Sequence, residues 1–155
     1  MVVVGFDPGS ICFGVGILRR ENRLIRYVHS EEIKMNAAQF YDRMRQLWDR
    51  LNAIFSSFEI DRVAIEEGYM GKNVHSMNLL AQVRGLAMGF TIERRIGLTF
   101  YSPRQVKLAV TGSGKALKSQ TSKSMKILLQ INDKELGHDE SDALAVAYCH
   151  MLNVK

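Results

Sequence analysis

Four acidic residues, far apart along the chain, have surroundings in which a carboxylate could do chemistry: Asp7, Glu66, Asp139 and Asp142. Asp7 closes the run Val2-Val3-Val4-Gly5-Phe6, a β-branched, uncharged stretch of the kind buried on both faces at a sheet's centre. Pro8-Gly9-Ser10 stops that strand at once. Glu66 lies near the end of a second such stretch, Ile60 to Glu67, just before Gly68. Asp139 and Asp142 are three residues apart, which on a helix sets them on one face, a turn from each other. A single acid in a first helical turn has a plainer use, because it favours the helix dipole by about 0.3–1 kcal/mol. That use does not account for Asp142, which stands beside Ala143 and Leu144 in a packed stretch where an uncompensated charge is penalised.

If the two strands are neighbours and the last helix lies across them, the four carboxylates converge. Anions so gathered repel, and hard divalent cations are the usual remedy. The pattern therefore predicts two Mg2+ or Mn2+ ions roughly 3.5–4 Å apart, clamping a phosphate, activating water on one side and stabilising the leaving oxygen on the other. Glu67 faces the opposite side of its strand from Glu66 by period-two alternation, and is at best an outer partner of the site.

The elements that position these acids follow from the hydrophobic pattern. Phe13 to Leu18 returns from the first strand as a hairpin partner, and Leu24 to His29 makes a third strand. Asn36 is the expected cap of a long helix whose apolar stripe runs Phe40, Met44, Leu47, Leu51, Ile54, Phe55 and Phe58. After the strand that carries Glu66, Ser76 is the expected cap of a helix reaching about Arg95. Its apolar face is wider than one core contact needs, which marks the stretch Met77–Phe90 as a partner interface. Leu98 to Ser102 is a short strand, and Pro103 opens a helix to about Val110. Ser119 or Ser122 begins another helix, and the last runs from Asp139 towards Met151. Three early strands joined by hairpins and two later ones joined by helical crossovers give an α/β fold, a five-stranded mixed sheet with helices on both faces.

Composition narrows the partner. At 155 residues, 46% hydrophobic and 24% charged, the chain has the make-up of one soluble domain. No apolar run is long enough to span a membrane, and Cys12 and Cys149 have neither metal nor redox spacing, which points to a reducing, cytoplasmic compartment. A net charge of +5 favours an anionic partner such as nucleic acid. Lys72, Arg84, Arg104, Lys107, Lys115 and Lys118 fall in the loops and helices that flank the acids. Gly112-Ser113-Gly114-Lys115 is not a phosphate-binding P-loop: no strand immediately precedes it, and Ala116 stands where a Ser or Thr would hold Mg2+.

Several stretches, in order, resemble the RuvC family of Holliday-junction resolvases, which have the ribonuclease H-like fold. They are Gly5-Phe6-Asp7-Pro8-Gly9-Ser10 with Gly14-Val15-Gly16, Ala64-Ile65-Glu66-Glu67 with Met70-Gly71-Lys72-Asn73, and Gln82-Val83-Arg84-Gly85-Leu86-Ala87. Arg104-Gln105-Val106-Lys107, Gly112-Ser113-Gly114 with Lys118-Ser119-Gln120, and Asp139-Glu140-Ser141-Asp142-Ala143-Leu144-Ala145 continue the match. The resemblance implies a homodimeric, divalent-metal-dependent endonuclease that nicks two strands of a four-way DNA junction symmetrically, with a branch-migration helicase as a further partner. It carries the catalytic, metal-binding acids over to Asp7, Glu66, Asp139 and Asp142. It places Lys107 and Lys118 near the scissile phosphate, and Tyr69 where unstacked bases meet an aromatic ring. The family's third acid position holds either aspartate or histidine; His138, directly before Asp139, is therefore a second outer candidate. Two rivals stay open: a nuclease of the same fold acting on RNA or RNA–DNA hybrids, and a non-catalytic junction-binding module.

Overall fold

A computed structural model describes residues 1–68 and 73–154. Its sheet has the order β3-β2-β1-β4-β5, with β1 (Val2–Asp7) in the middle, as the uncharged run that precedes Asp7 leads one to expect. β1 pairs antiparallel with β2 (Cys12–Glu21), and β2 antiparallel with β3 (Leu24–Lys34). On the other side β4 (Arg62–Glu66) and β5 (Gly97–Tyr101) run parallel to β1. This is the mixed sheet of three antiparallel and two parallel strands that the sequence pattern leads one to expect.

Alternation along β1 splits the core in two. Val4 and Phe6 pack on one face with Leu47, Leu51 and Ile54 of α1 (Phe40–Ser57) and Val83, Ala87 and Phe90 of α2 (Val74–Glu93). Val3 packs on the other with α3 (Pro103–Thr111), α4 (Lys118–Leu129) and α5 (His138–Asn153). Each fully buried aliphatic or aromatic side chain contributes roughly 1.5–3 kcal/mol before chain entropy is set against it.

Helix α5 lies directly on the backbone of β2. A Cβ on Gly16 would collide with the Leu144 backbone, and one on Gly14 with the Asp139 carbonyl. Glycine at these two positions lets the helix bring its first turn down onto the sheet edge.

Several element boundaries differ from the sequence expectation, and four of them show why. β3 continues past His29 to Lys34, because it pairs with β2 as far as Cys12. α1 starts at Phe40 with Gln39 in the cap position and no side-chain cap, so Asn36 lies outside it. At α2 the cap is Asn73, whose side chain accepts the Ser76 amide at 3.1 Å. α4 begins at Lys118 rather than at Ser119 or Ser122, and the Gln120 side chain takes the Leu117 amide at 2.8 Å.

Candidate active site

The site is built by strand register. Gly14 pairs with Asp7 on one side and with Glu32 on the other. Phe6 pairs with Ile65 in the parallel ladder, so the next residues, Asp7 and Glu66, end adjacent strands side by side. The carboxyl ends of parallel strands are where such sheets place their sites. Val3 and Ala64 belong to the core beneath α5, and two-residue alternation therefore turns Asp7 and Glu66 toward that same helix. Helix α5 contributes Asp139 from its first turn and Asp142 from the next.

Their mutual repulsion appears in their acidities. Burial raises the Asp7 carboxyl from 3.8 to about 7, with Glu66, Asp142 and Asp139 adding to the rise and Lys118 opposing it. Glu66 also rises to about 7, through burial and then Asp142, against Lys118, Lys107 and Arg84. Lys118 donates to Asp142 Oδ2 at 3.0 Å, and that bond holds its ammonium above the ordinary lysine range. Four expected acids and three expected cations thus act on one another across a single end of the sheet.

The donor set suits a hard divalent cation: the four acids are all carboxylate oxygen donors at one end of the sheet, and burial, reinforced by the neighbouring acids, raises two of them to about 7. The acids are gathered without forming a closed cage. Among the described residues, no three His, Cys, Asp or Glu side chains already stand at ion-holding spacing.

The remaining expected residues are more dispersed. The Arg84 guanidinium lies over Gly68, and its buried Nε has no hydrogen-bond partner among the described residues. Arg104 packs against Gly114, and Lys115 is exposed on the same connection. Glu67 is exposed, its amide bonded to the Tyr101 carbonyl at 2.8 Å, and His138 is exposed at the start of α5. Tyr69 and Lys72 lie outside the described residues.

Two neighbours of the site escape the sequence reading. Glu32 on β3 accepts the Asp139 amide through Oε1 at 3.2 Å. The Cys12 thiol is pushed up to about 12, first by burial and then by its bond to the Asp139 side chain. Period-two alternation through Ser30 and Glu32 would reveal the glutamate once β3 is continued to Lys34. Nothing in the sequence singles out Cys12.

Comparison with known proteins gives a consistent result. The family model described as crossover junction endodeoxyribonuclease RuvC matches residues 3–150. The crossover junction endodeoxyribonuclease RuvC of Christiangramia forsetii is 31% identical over 153 residues, covering 98% of this chain and 80% of the relative. That of Tolumonas auensis is 36% identical over 149 residues, covering 96% and 86%. Among solved structures, T. thermophilus RuvC in complex with Holliday junction substrate superposes with a TM-score of 0.91 at 25% identity, covering 99% of this chain and 94% of that one. The fowlpox virus Holliday junction resolvase, at 13% identity and a TM-score of 0.64, shares the fold.

Proposed function

The chain belongs to the crossover junction endodeoxyribonuclease RuvC family, and on that premise we infer that it is a structure-selective endonuclease resolving four-way DNA junctions by symmetric paired nicking. The observation that supports this most is the pairing of Asp7 and Glu66 at the ends of adjacent parallel strands, each raised to about 7, first by burial and then by neighbouring acids, Glu66 at Asp7 and Asp142 at Glu66. Two carboxylic acids kept short of cationic charge form a receptor for cations and for the phosphate that cations bring.

Asp7, Glu66, Asp139 and Asp142 would hold Mg2+ or Mn2+, two ions per site. When bound, the ions supply Lewis acidity toward the scissile phosphate and acidify the attacking water. The chain's own residues do the rest. Asp7 and Glu66 release their protons as they take up the ligand role. Lys118, bonded to Asp142, and Lys107 and Arg84, which act on Glu66, present positive charge to the phosphate. Arg104, Lys115, Lys72 and Tyr69 extend the contact with the junction arms and with unstacked bases, while Glu67 and His138 act at most from outside the ligand set. The chain works as one nuclease domain in a homodimer in the bacterial cytoplasm, alongside a branch-migration helicase. Among the described residues, no helix is long and apolar enough to cross a membrane.

A labelled mobile four-way junction, an RNA–DNA hybrid and a linear duplex, each incubated with Mg2+ and with EDTA, test this reading. Paired nicks in the junction alone, and only with metal, are expected. Preferential cutting of the hybrid would replace the proposed substrate, and binding without nicking would leave a junction-binding module.

A further inference from the structure

The first turn of α5, which carries Asp139, lacks a side-chain cap of its own. Gly137 occupies the cap position and brings no acceptor. The Asp139 N–H is therefore one of the donors that a helix start leaves without an intrahelical partner. Glu32 supplies the acceptor from β3, on the far side of the sheet's hairpin, through the 3.2 Å bond to its Oε1. Register delivers that side chain to the site, since Gly14 sits between Glu32 and Asp7 in the same row. A Cβ on Gly137 would run into the Glu32 carboxylate, so the residue that cannot cap the helix is also what admits the distant one.

A second carboxylate has a different job in the same turn. Glu140 accepts the Gly137 amide at 2.8 Å and is itself held by Lys134 and Ser30. Glu140 closes the turn on itself, whereas Glu32 ties the turn to the strand row that ends in Asp7 and Glu66.

We propose that Glu32 is a positioning residue for the nicking reaction: by holding the Asp139 amide against the sheet edge, it sets the Asp139 carboxylate relative to Asp7 without touching the reacting atoms. The inference rests on the reading above in which Asp139 binds metal. Outer groups that orient a metal ligand commonly contribute 10- to 100-fold in metal affinity or activity. Glu32 carries a full charge as well as an acceptor oxygen, and the two contributions are separable. Glutamine at this position keeps an oxygen of the same reach and loses the charge; alanine loses both.

The test compares wild type, Glu32→Gln and Glu32→Ala by three readouts. These are hydrogen exchange of the Asp139 amide by NMR, Mn2+ affinity by titration calorimetry, and junction nicking against Mg2+ concentration. Amide protection in β1 checks that each variant is folded. For Glu32→Ala we expect faster exchange at Asp139, Mn2+ affinity weaker by about 10-fold or more, and nicking largely regained at high Mg2+. Glu32→Gln is expected to restore protection and affinity close to wild type. Glu32→Ala with unchanged exchange and affinity overturns the proposal. So does a Glu32→Gln as defective in Mn2+ binding as Glu32→Ala, because the charge would then act directly on the metal. A wild-type chain that protects Asp139 and binds Mn2+ through it, yet nicks no junction, overturns the nuclease reading and leaves Glu32 as a positioning residue for the metal site alone.

Discussion

Asp7 gathers opposing demands in one side chain. Burial and three neighbouring acids oppose its ionisation, yet the proposed chemistry requires the ionised form. Folded, it keeps its proton to about pH 7; unfolded, it loses it near 3.8. The folded chain thus binds more protons across this window, and the Asp7 contribution to stability falls as pH rises through it. In EDTA, Asp7→Asn should therefore be more stable than wild type at pH 8. The gap should widen between pH 5 and 7 by at most about 3 kcal/mol, at ~1.4 kcal/mol per pH unit. Burial lowers the His150 pKa, an effect of opposite sign, but it cancels in the difference between the two proteins. Chemical denaturation at four pH values measures the gap, and a constant gap would contradict the coupling. The same substitution should abolish nicking, by roughly three orders of magnitude where several kcal/mol of transition-state stabilisation are lost. Junction binding should be unchanged or tighter, because one anion facing phosphates is gone; gel-shift titration of the folded variant checks it. Asp7 and Glu66 are legible in the sequence because each stands at the end of an apolar run. Glu32 is not: β3 is rich in charge, a register shift between Ile17 and Leu18 interrupts its pairing with β2, and its polar residues read as the end of a strand.

At the level of elements, the order of strands and helices follows from periodicity, since both the three-to-four spacing of α1 and the alternation of β1 report real buried faces. Starts and stops are less legible where the capping group is unconventional. Asn36 looks like a cap and is not one, while Gly137 lacks a capping side chain and begins the helix that bears two of the acids. What positions α5 is backbone contact through Gly14 and Gly16, a requirement that single-residue propensities do not express. Alanine at Gly16 should therefore cost about 1–3 kcal/mol, the usual range for overpacking, or more, because the obstructing atoms are backbone. Alanine at Gly14 acts on the Asp139 carbonyl itself. Its loss of nicking should exceed what its loss of stability explains, with saturating Mg2+ only partly restoring the rate. Urea denaturation and metal-dependent kinetics on the two variants separate these effects. Equal activity loss at equal destabilisation would argue against a special role for Gly14.

At the scale of the whole molecule, one site makes one nick, whereas resolving a junction takes two nicks related by symmetry. A two-fold dimer meets that need with a self-complementary patch. The outward side of α2 is the expected place for it: Val74 is 68% exposed, Ile92 70% and Met88 39%, and Gly85 and Gly89 have open space where a side chain would stand. The inner residues of the same helix, Val83, Ala87 and Phe90, are already spent on the core. This division of α2 into two apolar sides is the physical content of the wide apolar face read from the sequence. Ile92→Glu puts a charge on the outer side only, on the same helix as Arg84 but about two turns beyond it. It should leave the fold and Mn2+ affinity unchanged while shifting sedimentation from two chains to one. A monomer with an intact metal site should still nick, but the second cut would need a second encounter. On a supercoiled plasmid carrying an extruded cruciform, wild type is then expected to yield linear product and Ile92→Glu mainly open circles. Linear product at the wild-type proportion from a variant that sediments as one chain would show that paired cutting does not depend on a dimer. A variant that remains dimeric would move the interface away from α2.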